Sequence, residues 1–433
     1  MIPFLPGPAR IPRFEMMDNK LMHTMAPSRA WGSVLLFMLP ALALVTHSGI
    51  GLASFLILLT GLGTFRAGRA ALARHWNDVR WVVLAFLFNF VVVSVYFLLR
   101  PEEVLSNLEI PLRMLAAVSA LTMVVVMRPP SQALWWGAIV GAAGAMVFVG
   151  YQRIVLGMER PGGWINAVTF GDLAVLLAVM AFAAAIDFRQ ARRSVLWPLF
   201  GGLAGVLALV LSGTRGGWIS LALAALLCLR LGHLTRSRNV RILIGAGVAL
   251  TAALYFVPAT GMQARASQAL NDVHAWYNGG EKDTNVGGRL ELWKNAGMLI
   301  AEHPLAGVSS FAAKARTEEW VREGRLHRLV TIAPHFHNDA LQALVNGGVP
   351  GLLALAGILG APFAFFARQA SLAAARGQPI SAPAVAGMLV VLGFFGFGLT
   401  EMMFWMGRSG IFYAFTVFIL MGLCLKQKEE SGN

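Results

Sequence analysis

The residue types best suited to chemistry lie in Pro334-His335-Phe336-His337-Asn338-Asp339. His337 stands where the long polar region 258–336 meets an apolar segment. An imidazole near its unperturbed pKa of about 6.5 takes up a proton at neutral pH, which suits a general base acting on a hydroxyl. The position would let a water-soluble acceptor and a lipid-borne donor reach the same side chain. Two other readings stay open. Asn338 or Asp339 can cap a helix with a structural histidine beside it. His335 and His337 can also join Asp339 around a metal, although no further His or Cys stands at a suitable spacing.

Two arginines could serve a phosphate-bearing partner. Arg215 sits in Ser212-Gly-Thr-Arg215-Gly-Gly-Trp218, a glycine-rich break between apolar helices. Glycines let a bulky anion approach the backbone, and a guanidinium matches phosphate with two parallel hydrogen bonds. The same residue could simply extend its charge to the membrane surface. Arg289 lies in Gly287-Gly288-Arg289-Leu-Glu291-Leu-Trp293, which opens an amphipathic helix ending near His303-Pro304. In the first turn of that helix it would stand beside amides that favour anions; otherwise it is an ordinary surface charge. Asn89, Asp172, Asn346 and Glu401 are polar residues in or beside apolar helices, able to line a cavity or to pack against a neighbour.

The elements that must position these groups are membrane helices. Of 433 residues, 57% are hydrophobic and 13% charged, and mean hydropathy is +0.66. A soluble domain carries about 25% charged residues, so the expected fold is an all-α polytopic membrane protein. The net charge of +14 then reads as loops facing anionic lipid, and nucleic acid is not an expected partner. Cys228 and Cys424 fall in apolar runs, which excludes a disulfide framework.

Apolar runs of about twenty residues span a bilayer, and about a dozen are expected by that measure. They fall near 31–47, 50–65, 79–99, 111–127, 133–154, 169–186, 195–212, from 218 on, 242–257, 338–367, 380–404 and 411–425. The organisation predicted is a tail at 1–30, spans one to nine at 31–257, a mostly helical loop region at 258–336, spans ten to twelve at 337–425, and a tail at 426–433. Every second loop is Arg-rich: 66–74, 128, 189–193, 236–241 and 368–376. The positive-inside rule places those loops and both termini in the cytoplasm, and the long loop on the outer face with Arg113, Arg160 and Arg215. The absence of an obvious internal repeat argues against an inverted-repeat transporter.

Taken together, these residues resemble the O-antigen ligase family of bacterial glycosyltransferases, relatives of O-antigen polymerases and some protein O-oligosaccharyltransferases. The resemblance rests on Arg160-Pro-Gly-Gly-Trp-Ile-Asn166 with Gly171-Asp172, on Ser212 to Trp218, on Gly288-Arg289-Leu-Glu-Leu-Trp293 with Glu302-His-Pro304-Leu-Ala-Gly307, and on His335-Phe-His337-Asn338-Asp339-Ala-Leu-Gln342 with Gly348-Val-Pro-Gly351. It implies a GT-C-like layout in the bacterial inner membrane with the site on the periplasmic face. It also implies transfer of a glycan from undecaprenyl diphosphate to the lipid A-core. His337 would be the base, and Arg215 and Arg289 would hold the diphosphate. Arg113, Arg160, Asn166, Asn338 and Gln342 are the expected substrate contacts. No cofactor and no metal are expected, because the first outer turn, His47-Ser48-Gly49, offers no carboxylate for a hard cation. A polymerase or oligosaccharyltransferase differs in acceptor alone, whereas a lipid-linked-sugar flippase would carry its polar residues near mid-membrane.

Overall fold

The structure is a computed structural model that describes residues 29–100, 106–214, 216–230 and 262–431. All regular structure among them is helical. In chain order the helices are α1 (Arg29–Ala41), α2 (Gly49–Gly63), α3 (Phe65–Arg74), α4 (Trp76–Leu99), α5 (Ser106–Ala116), α6 (Val118–Met127), α7 (Ser131–Ile154), α8 (Ala167–Gln190), α9 (Leu196–Ser212) and α10 (Gly216–Arg230). They continue as α11 (Met262–Tyr277), α12 (Asn285–Glu302), α13 (Ser310–Arg322), a 3₁₀ turn at Arg328–Thr331, α14 (Asp339–Ala375), α15 (Ala382–Gly398) and α16 (Gly407–Ser431).

Six of the described helical stretches are long and apolar enough to cross a membrane, or seven if α2 and α3 count as one bent span. Another four, α1, α9, α10 and α15, are apolar but only 13, 17, 15 and 17 residues long. Each falls short of the ~20 residues that cross a bilayer unaided. The described residues therefore do not reach twelve full spans, and the segment expected at 242–257 lies outside them.

Three departures from the sequence expectations have local causes. The first span ends at Ala41 rather than near residue 47, with Pro40 in its last turn, where the ring removes a backbone donor. The basic stretch after α2 is a helix, α3, bent 87° away from it. Gly68 and Ala71 of α3 are buried while Arg66, Arg69 and Arg74 stay exposed, so one face meets protein and the other water. The span expected to run to residue 404 stops at Gly398, and residues 399–406 form a turn whose role appears at the site.

α16 is enclosed along its apolar length and is the pillar of the bundle. α4 instead exposes Trp81, Leu87, Val91 and Leu98, the pattern of a helix facing lipid.

The expected helical region before α14 has its own small core. Leu292, Ala296 and Leu299 of α12 pack with Trp320 of α13, then with Leu326, Val330, Phe336 and Val345. Val345 belongs to α14, so this core is continuous with the membrane helix. The seam is fixed at Gly348, where α14 breaks with φ 54°. A Cβ at Gly348 would lie 2.3 Å from the Leu305 carbonyl oxygen, so only glycine admits the segment Pro304–Val308 this closely. Val308 N–H donates to Val345 O at 2.7 Å and Val349 N–H to Pro304 O at 3.2 Å. Arg100, at the end of α4, adds guanidinium bonds to the carbonyls of Ala306 (2.8 Å), Asn346 (2.7 Å) and Val308 (3.3 Å).

Candidate active site

Two consecutive side chains at the start of α14 gather the site. Asn338 caps the helix, its Oδ1 accepting from Leu341 N–H at 3.0 Å, while its Nδ2 donates to Leu399 O at 3.0 Å. Asp339 Oδ1 accepts from the amides of Met403 (3.0 Å) and Phe404 (3.3 Å). These bonds seize the turn 399–406 and explain why α15 ends early. They also carry Glu401, which is fully buried, to the histidines.

His337 Nδ1 lies 3.0 Å from Glu401 Oε1, and His335 Nε2 lies 4.0 Å from the same oxygen. The two imidazoles meet edge to face with centroids 4.2 Å apart. The Met402 amide also donates to Glu401 Oε1, at 3.1 Å. Arg289 approaches the other oxygen, its Nη2 4.0 Å from Oε2. A carboxylate facing Nδ1 fixes the proton there and leaves Nε2 as the proton acceptor. His337 also has φ 50°, a left-handed conformation that costs a non-glycine residue on the order of 1 kcal/mol. Its neighbours over-determine it: His337 N–H donates to His335 Nδ1 at 3.3 Å, and Trp293 of α12 donates to Phe336 O at 3.0 Å.

The electrostatics follow from burial. The Arg289 guanidinium is held below its ordinary value by burial, with Glu401 and Asp172 opposing and Arg160 adding to the depression. Burial also lowers His335, helped by the charge of His337. Burial alone would raise Glu401, but the hydrogen bond and charge of His337, with the Met402 amide, bring it below the usual carboxylate range. Among the described residues Glu401 Oε2, Asp339 Oδ2 and both oxygens of the fully buried Asp172 have no hydrogen-bond partner. Unsatisfied buried carboxylate oxygens are costly, and this end of the molecule concentrates them. His335, His337 and Glu401 are also the one group here with metal-ligand atoms all within 4.8 Å of one another, among the described residues.

The expected contributors have different fates. His337 and Arg289 come together through Glu401. Arg289, however, does not share the first turn of its helix. α12 opens at Asn285, Thr284 Oγ1 caps the Gly287 amide at 3.0 Å, and Asp272 takes the Val286 amide at 3.4 Å. Those amides are thus already engaged, and Arg289 acts from one turn further in. Arg215 lies outside the described residues. Its neighbour Thr214 donates to Ala167 O at 2.7 Å, and a Cβ on Gly216 would meet Thr400 Oγ1 at 2.7 Å and Asp172 Oδ1 at 3.5 Å.

The expected substrate contacts divide in the same way. Asn166 caps α8 through the Val168 amide at 2.8 Å, and Asn338 is spent on backbone at both ends. Arg160 is exposed and near enough to Arg289 to influence it. Arg113 and Gln342 line a cavity of about 570 Å³ that also touches Asp339, Asn346, Trp164 and Arg408 and runs down to Ile358. Arg113 pairs there with Glu109 at 2.6 Å. Polar Asn89, Asn346 and Gln342 share its wall with apolar Leu44, Val92 and Ile358, a combination that suits an amphiphile.

Of the polar residues in or beside apolar helices, Glu401 joins the histidines, Asp172 is fully buried, and Asn89 and Asn346 line the cavity. The sequence signal that marks Glu401 is a single acid in the otherwise uncharged run Gly398-Leu-Thr-Glu401-Met-Met-Phe-Trp. Such an acid is expensive unless partnered.

Residues 200–356 match a family model described as O-antigen ligase. The chain is also similar to a Haemophilus influenzae protein described as uncharacterized, 24% identical over 340 residues, covering 75% of this chain and 82% of the other.

Proposed function

We propose that this chain, whose residues 200–356 match an O-antigen ligase family model, is a member of that family and moves a glycan from undecaprenyl diphosphate onto the lipid A-core of lipopolysaccharide. The reaction would take place on the periplasmic face of the bacterial inner membrane. The observation that carries the scheme is the His337–Glu401 contact at 3.0 Å with Arg289 on the carboxylate's far oxygen.

Glu401 holds the Nδ1 proton and so presents His337 Nε2 to the acceptor hydroxyl. As Nε2 takes that proton, the hydroxyl oxygen forms a bond to the anomeric carbon. The bond from that carbon to the diphosphate oxygen breaks, with inversion, and the lipid diphosphate leaves with the electron pair. Arg289, together with Arg215 as the sequence suggests, would stabilise its growing negative charge, an effect greatest where donors are already in place. Glu401 offsets the imidazolium formed at His337, and no step is routed through a metal ion. The cavity beside Gln342 and Arg113 would take an amphiphilic substrate. Gathering the titratable groups at one end of α14, away from its middle, favours an enzyme over a flippase.

The test is incubation of purified protein with the lipid-diphosphate glycan and lipid A-core, followed by gel detection of the joined product. Wild type should give it and His337→Ala should not; ligation by that variant at near wild-type rate would remove His337 as the base. A polymerase would instead join two lipid-linked glycans, and an oligosaccharyltransferase would modify a Ser/Thr peptide, so both acceptors belong in the assay.

A further inference from the structure

At the end of the bundle opposite His337, where α14 gives way to α15, a cavity of about 130 Å³ opens between Gln369, Arg376, Gln378, Ser381, Gln427 and Lys428. Gln369 is 92% buried, yet its Nε2 has no hydrogen-bond partner among the described residues. A buried amide donor left unmade costs about 1–3 kcal/mol, so this position calls for an acceptor. The other features of the wall favour an anionic one. Arg376 is exposed, and its guanidinium has no partner among the described residues. Lys428 supplies a second cation, already paired with Asp78 at 2.7 Å. α15 begins at this wall: Ser381 Oγ accepts the Ala384 amide at 3.3 Å, and the positive end of the helix dipole stands beside the cavity.

We propose that this cavity binds a phosphate group, with Gln369 Nε2 and the Arg376 guanidinium as its donors. Its size admits a phosphate with a short ester but no sugar chain, which separates it from the substrates of the reacting end. Two sources share that chemistry: the headgroup of an anionic lipid, drawn from the membrane surface beside Arg376, and a soluble phosphate.

The experiment uses the full chain purified in detergent. Native mass spectrometry reads the lipid retained after exchange into mixed micelles containing phosphatidylglycerol or phosphatidylethanolamine, and thermal unfolding reads the effect of inorganic phosphate. Loss of one charge-assisted donor should weaken retention about tenfold. Arg376→Ala and Gln369→Leu should each therefore shed bound phosphatidylglycerol, while Arg368→Ala, whose charge lies off the cavity, should not. Stabilisation of wild type by inorganic phosphate, lost in both variants, would support the site with a soluble source. Equal lipid retention in wild type and both variants, with no phosphate stabilisation of any, would overturn the proposal. Arg376 is exposed, so its variant remains informative even where Gln369→Leu folds poorly.

Discussion

The two ends of the bundle handle charge in opposite ways. At the end where α16 finishes, charged and polar groups close on one another. Lys428 meets Asp78 at 2.7 Å, His75 meets Glu429 at 2.9 Å, Arg128 reaches both Glu429 and Glu430, and Lys426 donates to Pro129 O at 2.9 Å. These contacts strap the last helix to the loops beneath it. At the His337 end the carboxyl groups of Asp172, Asp339 and Glu401 keep oxygens without a hydrogen-bond partner among the described residues, and Arg289 reaches Glu401 only at 4.0 Å. Charges that satisfy one another hold a structure together, whereas charges left incomplete hold free energy that a substrate can release.

Substitutions at each end test this contrast. His337→Ala should have the largest effect, since losing a general base costs about 10²–10⁴-fold in rate; the variant should still purify as a folded membrane protein, as read by its elution and unfolding. Glu401→Gln should lower kcat by about 10²-fold, because the amide no longer offsets an imidazolium and can present the wrong group to Nδ1. A fall in stability with kcat intact would instead make Glu401 an anchor like those at the other end. Arg289→Lys should lose about tenfold or more in kcat/KM, since an ammonium does not reproduce the guanidinium fork. Full recovery with lysine would reduce the residue to simple charge steering.

The remaining two effects are on stability. His335 is held neutral by burial. Below about pH 6.5 the unfolded chain takes up a proton that the folded chain resists, so this residue makes folding less favourable as pH falls. His335→Asn should therefore flatten the difference in thermal inactivation between about pH 7.5 and 5.5; an unchanged difference would contradict a buried neutral imidazole. The smallest effect belongs to Glu429→Gln, which breaks partly exposed pairs worth at most about 1 kcal/mol. Its ligation rate should match wild type, and a large rate loss would erase the distinction between the two ends.

Much of this architecture was legible because its signals are local. The apolar runs, the break at Gly348 and the cap at Asn338 can each be read from adjacent residues. His337 at the mouth of α14 and Arg289 in α12 were recognisable by type and by family motif. The role of Glu401 is not legible in sequence, because its partner lies 64 positions earlier in the chain; only folding shows that Asp339 and Asn338 pull residues 399–406 across to meet it. The eleventh expected span ends short of its apolar run for the same reason. Hydropathy continues through Met402, Met403 and Phe404, and hydrogen bonds from a distant helix end the regular structure before them. The α12 N-terminus shows a different limit: Gly287-Gly288 suggests an opening, but Thr284 had already begun the helix.

The contacts of Arg100 bear on how the bundle could admit the proposed substrate. One side chain on α4 grips the turn before α13 and the broken carbonyls of α14 together, and Tyr96 stacks beneath its guanidinium and donates to Gly347 O at 2.9 Å. α4, the kink and the start of the outer helices therefore travel as one body. Under the proposed function, an entrance that widens for a glycan would have to bend elsewhere, so that these contacts hold His337 at a constant height above the helix break.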